Sequence, residues 1–281
     1  MTKTWLITGT STGFGRELAV QLATQGRVNL VASARKPAEL DYLDQYDHGQ
    51  ILKTQLDVTN ESEIKATVDQ AVNKFGSIDV LVNNAGFGYF ATFEESDEHQ
   101  TRAMFDVNFW GLVDMTKAVL PTMRKQRSGI IVNLSSIAGI KGTTALSFYN
   151  ATKHAVEGVS KGLQLEVAPF GIKLMLVEPS AFRTDWAGRS SLKAVSQIND
   201  YQQLSDQRIA GRSDSDHGQS GDPKAAAEII IDQVENHGNE LPFHLPLGNA
   251  AIDSGEKELK ATLAEYQKNA DLARSADRPA K

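Results

Sequence analysis

No cysteine occurs in the 281 residues, which excludes disulfides, thiolate nucleophiles and cysteine-bound metals. An excess of basic residues is missing too. Twenty-nine Lys and Arg stand against 35 Asp and Glu, for a formal charge of −6, so composition gives no electrostatic case for nucleic acid or an anionic membrane surface. No apolar stretch reaches the roughly 20 residues of a membrane span. The early apolar segment Trp5-Leu6-Ile7 lacks a long apolar core and a small-residue cleavage site behind it. These absences lead to the expectation of a soluble, cytoplasmic protein. The six His are scattered, with no Cys or carboxylate grouping at metal-ligand spacing, so the sequence asks for no metal. His154, beside Lys153, reads as packing or surface.

What is present is an alternation of short β-rich and longer amphipathic segments, the pattern of a parallel sheet covered on both faces. Residues 5–8 read as the first strand. The following helix carries Leu18, Ala19, Leu22 and Ala23 at helical spacing and stops at Gly26. Strands are expected at 28–33, 51–56 and 80–82, with a helix between the last two whose Ile64, Val68, Val72 and Phe75 form one stripe. A helix over about 96–119 precedes a strand at 130–134. Another helix ends near Pro169, and a strand follows at 172–177. After Thr184 the alternation breaks. Residues 187–222 are polar, with at most one or two short helices expected, and such an insertion suits a substrate lid. Pro223 then opens a helix to 234, followed by an apolar segment at 243–247 and a charged helix around 256–270. With no internal repeat and motifs in both halves, one domain spanning 1–281 is expected.

Three motifs carry chemistry. Thr8-Gly9-Thr10-Ser11-Thr12-Gly13-Phe14-Gly15 lies where the first strand turns into the first helix. Its glycines let backbone approach a pyrophosphate, and the helix N-terminus offers N–H groups and a positive dipole end. The spacing departs from G-x-G-x-x-G, and a glycine-rich turn without a ligand is the alternative. Asn83-Asn84-Ala85-Gly86 follows the strand at 80–82, at the carboxyl edge where open α/β sheets bind ligands, although Asn pairs also simply favour turns. Tyr149 and Lys153 are four residues apart on a helix, and Ser136 lies thirteen residues upstream of the Tyr at a strand end. Residues i and i+4 share a helix face, so the ammonium can favour ionisation of the phenol. A phenol so tuned can give a proton to a carbonyl oxygen or take one from an alcohol, with Ser136 offering its hydroxyl to the same oxygen.

Taken together, these motifs resemble the short-chain dehydrogenase/reductase family across nearly the full chain. The resemblance implies a Rossmann-type doubly wound parallel sheet of about seven strands, with helices on both faces and the lid-like insertion before the last helix and strand. It implies a catalytic tetrad of Asn108, Ser136, Tyr149 and Lys153. In that tetrad Tyr149 is the general acid/base, Lys153 lowers its pKa and holds the nicotinamide ribose, Ser136 orients the carbonyl, and Asn108 supports a water in the proton relay. Ser135 is the alternative serine. Cofactor contacts are expected from Gly9, Ser11, Thr12, Gly13, Phe14 and Gly15, and from Asp57 and Val58 beside the adenine, where Asp57 could instead cap the next helix. Asn84, Ala85, Gly86, Pro179 and Thr184 complete the expected contacts. Ser180 stands where the family has Gly, which puts local backbone geometry in question. The opening motif, the second-strand end and the extended C-terminus look most like the branch of steroid and retinol dehydrogenases.

Charge at the second strand decides the cofactor expectation. An acidic residue there accepts from ribose hydroxyls in NAD enzymes, whereas Arg suits a 2′-phosphate. The segment here is Ala32-Ser33-Ala34-Arg35-Lys36, with no carboxylate before Glu39. NADP(H) is therefore expected over NAD(H), with Ser33 and Arg35 on the phosphate; two solvated loop cations are the competing reading. Arg16 either adds charge near the phosphate or faces the first helix. Phe87, Tyr89, Ile137, Phe148, Phe182 and Trp186 are candidate walls of a pocket for a hydrophobic ketone, aldehyde or alcohol, and each could equally be core. A homo-oligomer, dimer or tetramer, is expected through the helices carrying Asn108 and Tyr149. Leu112, Val113, Met115 and Val119 either supply that surface or pack inside. The rival functions are a non-catalytic dinucleotide sensor, or an epimerase or dehydratase on the same fold.

Overall fold

Aliphatic and β-branched runs build the sheet. The computed structural model describes residues 2–186, 188, 190–213 and 218–278. The first half runs β1 (Thr4–Ile7), α1 (Gly13–Gln25), β2 (Asn29–Ala34), a 3₁₀ segment (Pro37–Tyr46), β3 (Ile51–Gln55), α2 (Glu61–Phe75), β4 (Val80–Asn83) and β5 (Gly88–Phe90). It continues with α3 (Glu98–Phe105), a π turn (Asp106–Gly111), α4 (Leu112–Gln126), β6 (Gly129–Leu134), α5 (Ser147–Val167) and β7 (Ile172–Pro179). The last part comprises β8 (Ser191–Lys193), α6 (Asn199–Ser213), α7 (Pro223–Asn236), β9 (His244–Leu247), α8 (Asn249–Lys268) and α9 (Ala270–Arg274).

The main sheet has seven strands in the order β3-β2-β1-β4-β6-β7-β9, with every pairing parallel. Successive side chains on a strand face opposite ways. Trp5 and Ile7 thus join Leu18, Leu22, Ile230 and Ile231 on one face, while Leu6 joins Ile64, Val68, Met115, Val119 and Leu174 on the other. The strand order reverses between β1 and β4, and the crevice at their carboxyl ends is where such sheets bind ligands.

Several expectations need correction. The helix expected over 96–119 runs from 98 to 126 and keeps Pro121 inside α4. It is interrupted by a single π turn at Asp106–Gly111; such turns concentrate at functional positions, and Asn108 sits in this one. Asn60, not Asp57, caps α2, accepting from the amides of Ser62 and Glu63. The final long helix begins at Asn249, directly after Gly248 turns the chain with φ 88°. Within 187–222, residues 187, 189 and 214–217 lie outside the described residues. The rest is more ordered than its polarity suggested: β8 pairs in parallel with β5, and α6 is fifteen residues long. No described helix is long and apolar enough to cross a membrane.

Candidate active site

The glycine turn and the Asn83-to-Gly86 segment are locked together by hydrogen bonds. Asn84 Nδ2 donates to the carbonyls of Thr8 (2.8 Å) and Gly9 (2.9 Å), and the amides of Asn84 and Ala85 both donate to Thr8 Oγ1 at 3.0 Å. Gly9 and Gly13 hold φ of 70° and 56°, in the left-handed region that disfavours other residues. Gly15 is required for a different reason. A Cβ there would come within 2.4 Å of Asn84 Nδ2 and of the Gly9 carbonyl oxygen. No side chain caps the N-terminus of α1, which leaves its first N–H groups facing the crevice. Asn83 turns inward instead, donating to Thr116 Oγ1 and Asn133 Oδ1.

A cavity of about 1010 Å³ runs along this edge. One end is walled by Arg35, Glu39, Asp57 and Val58, the middle by Gly9, Ser11, Thr12, Gly13, Phe14, Asn84, Ala85 and Gly86. Ser136, Tyr149, Lys153, Pro179 and Thr184 lie at the other end. Length, glycine-bared backbone and an uncapped helix N-terminus fit an extended dinucleotide with a central pyrophosphate. Two expected contacts do not face this cavity. Ser33 is fully buried and its hydroxyl donates to the Ile7 carbonyl, so its polarity is used within the sheet. Gly15 lies beneath the turn rather than on its surface. Arg16 stacks its guanidinium on the Tyr42 ring, 3.7 Å from the centroid, and borders a smaller neighbouring cavity. Asp57 lines the cavity while its Oδ1 accepts from the amide and hydroxyl of Thr59.

At the far end Tyr149 is 7% exposed and Lys153 equally buried. The Lys153 ammonium stands 5.8 Å from the centre of the Tyr149 ring and donates to the Leu134 carbonyl at 2.6 Å. Burial lowers the Lys153 pKa from 10.5 to about 8, opposed by the Glu157 carboxylate. Ser136 caps a short 3₁₀ turn by accepting from the Ala138 amide, and donates weakly to the Pro179 carbonyl at 3.4 Å. Ser135 also borders the cavity. Asn108 ties the Phe87 backbone at both ends, accepting from its amide and donating to its carbonyl at 2.9 Å each. Its position is behind the cavity wall. Ser180 fits without strain, since its backbone is outside the left-handed region and its amide donates to the Leu247 carbonyl.

Of the candidate pocket walls, Phe87, Ile137, Phe182 and Trp186 line the cavity. Trp186 packs against Tyr149 with ring centroids 5.0 Å apart. Phe148 and Tyr89 do not line it. Phe148 stacks on Phe93, and the Tyr89 hydroxyl accepts from the Asp97 amide. Sequence reasoning missed Leu146 and Leu192, which line the same end. It also missed Glu95, whose carboxylate accepts from Thr92, Ser196 and the amides of Gln197 and Ile198. Those bonds strap the insertion to the loop after β5 and lower the Glu95 pKa to about 2, with the Thr92 hydroxyl the largest cause. Three of the four apolar residues considered for an oligomer surface, Leu112, Met115 and Val119, are buried in the chain's own core.

The family described as short chain dehydrogenase matches residues 3–194. The chain is 40% identical over 195 residues to a 3-ketodihydrosphingosine reductase of Bacteroides thetaiotaomicron, covering 69% of this chain and 70% of that protein. It superposes on a crystal structure of a short-chain dehydrogenase from Streptomyces avermitilis with TM-score 0.88 and 34% identity, covering 99% of both chains. ElxO with NADP bound is similar at TM-score 0.75 and 27% identity, over 90% of this chain and all of that one, and another similar structure was solved with NADH. The chain is an oxidoreductase of the short-chain dehydrogenase/reductase family, whose fold binds a nicotinamide dinucleotide.

Proposed function

We propose that this protein is an NADP(H)-dependent reductase of hydrophobic ketones or aldehydes, working in reverse on the corresponding secondary alcohols. The observation that carries the reading is the single cavity joining Arg35 at one end to Tyr149, Lys153 and Ser136 at the other. When bound, the nicotinamide supplies the hydride. Tyr149 gives its phenolic proton to the carbonyl oxygen, Ser136 donates to the same oxygen, and Lys153 stabilises the phenolate that remains. Asn108 acts by fixing the Phe87 backbone at the cavity wall. Arg35, exposed beside the cavity, forks onto a 2′-phosphate. Glu39 borders the same end and favours ribose hydroxyls, so the measured cofactor ratio reads the balance between the two. Trp186, packed against Tyr149, and Phe87, Ile137 and Leu192 on the same cavity present apolar surface, which suits an alkyl or aryl ketone.

Support for a ketone substrate also comes from the similarity to the 3-ketodihydrosphingosine reductase. We further read the chain as one catalytic domain in a homo-oligomer, with Trp110 (51% exposed) and Leu165 (75% exposed) as contact residues. The test is oxidation of NADPH and NADH against hydrophobic ketones, aldehydes and diketones, with Tyr149→Phe alongside. NADPH consumption lost in the variant supports the proposal. Tight NADPH binding with no net consumption across the panel points to a sensor or to a hydride-recycling epimerase.

A further inference from the structure

Behind the active site, three side chains far apart in sequence converge. Glu157 comes from α5, Glu178 from β7 and His244 from β9. Leu176 pairs with His244 across the two strands, so His244 and Glu178 project from one face of the sheet. Glu157 lies one helical turn beyond Lys153. The donor atoms of all three lie within 4.8 Å of one another. His244 Nδ1 is 2.5 Å from Glu178 Oε1 and 3.8 Å from Glu157 Oε2. None of the three lines the cofactor cavity.

Two features ask for a cation here. Glu157 and Glu178 are only 3% and 5% exposed, and neither carboxylate oxygen of Glu157 has a hydrogen-bond partner. The Ser135 hydroxyl favours the charged form of that carboxylate, against the burial that disfavours it. Buried carboxylates are costly unless paired or bound to metal. Burial is the main cause that raises the Glu157 pKa, with Glu178 adding to it. The His244 side chain, 43% exposed, leaves a way in from solvent.

We propose that Glu157, Glu178 and His244 form a divalent-cation site of the zinc or manganese class. Two carboxylate oxygens and one imidazole suit these ions better than copper(I) or calcium. Donors held at about 2.1 Å from a shared ion stand roughly 3 to 3.5 Å apart. The His244–Glu178 contact must therefore open and the His244–Glu157 gap close, each by about an ångström or less, through rotation of the exposed imidazole, and the two carboxylates, within 4.8 Å of each other, must adjust their own rotamers to the same spacing. Solvent completes the coordination.

Zinc chloride and manganese chloride, titrated separately into the chelator-treated full-length protein and followed by calorimetry, test the site. One equivalent of at least one ion is expected to bind, weakened at least about tenfold in His244→Ala and in Glu178→Gln. Glu157→Gln is expected to abolish binding while raising the melting temperature of the ion-free protein, because it removes a buried carboxylate that has no hydrogen-bond partner. Absence of stoichiometric binding of both ions, or equal binding by the wild type and His244→Ala, overturns the proposal. The readout needs no turnover and is independent of the reductase reading.

Discussion

Lys153 ties stability to pH in a way that can be measured without knowing the substrate. Its folded pKa of about 8 lies below the ordinary 10.5, chiefly because the ammonium is buried. Between these two pH values the unfolded chain holds a proton that the folded chain has released, so stability rises with pH; below 8 the penalty is present in full. A shift from 10.5 to about 8 corresponds to about 3 kcal/mol in all, of which about 1 kcal/mol is recovered between pH 7 and pH 9. Lys153→Met removes the titration and also the hydrogen bond to the Leu134 carbonyl, a loss that does not vary with pH. Urea unfolding of both proteins without cofactor, followed by tryptophan fluorescence at pH 7, 8 and 9, isolates the group by difference. The wild type should gain about 1 kcal/mol relative to the variant across that range. Parallel pH dependences would refute the argument and mean that Lys153 stays fully charged in its site. The same titration bears on catalysis. If the ammonium stabilises the Tyr149 phenolate, kcat/KM for ketone reduction declines as pH rises through about 8.

Other perturbations probe the remaining parts. Gly15→Ala places a Cβ 2.4 Å from Asn84 Nδ2 and the Gly9 oxygen; a loss of about 1–3 kcal/mol in urea unfolding is expected, together with weakened NADPH binding by fluorescence titration. Arg35→Ser removes the fork for a 2′-phosphate and should raise the KM for NADPH about tenfold or more while leaving that for NADH nearly unchanged. An equal change for both cofactors would remove the case for Arg35. Glu95→Gln loosens the strap to Ser196, Gln197 and Ile198. It should speed proteolysis within 191–198 and raise the substrate KM with little change in kcat. Unchanged proteolysis would show that the strand pairing of β8 with β5 suffices to hold the insertion.

The parts of this protein that could be read from its sequence are those where local chemistry and backbone geometry coincide. The strands β1, β4, β6 and β7 are short, mostly apolar and almost entirely buried between helix layers, so their composition reports their environment directly. The glycine turn and the Tyr149 and Lys153 pair each take their geometry from one strand-to-helix junction or one helical turn, which spacing in sequence fixes, whereas the bonds from Asn84 to Thr8 and Gly9 cross about 75 residues and follow only from β1 lying beside β4. Ser33 went wrong for the converse reason. Its place at the end of β2 is as expected, but which way its hydroxyl points is set by the Ile7 carbonyl on the neighbouring strand. Phe148 and Trp186 are equally aromatic and equally close to motifs, yet only Trp186 reaches the cavity, because β8 pairs with β5 and draws the insertion over Tyr149. That pairing joins residues about 100 apart through three-residue strands, too short to leave a periodic signal. Glu95 and the Glu157, Glu178 and His244 group belong to the same class: each residue is unremarked in its own segment, and its chemistry exists only after the chain has brought distant carboxylates, amides and an imidazole together.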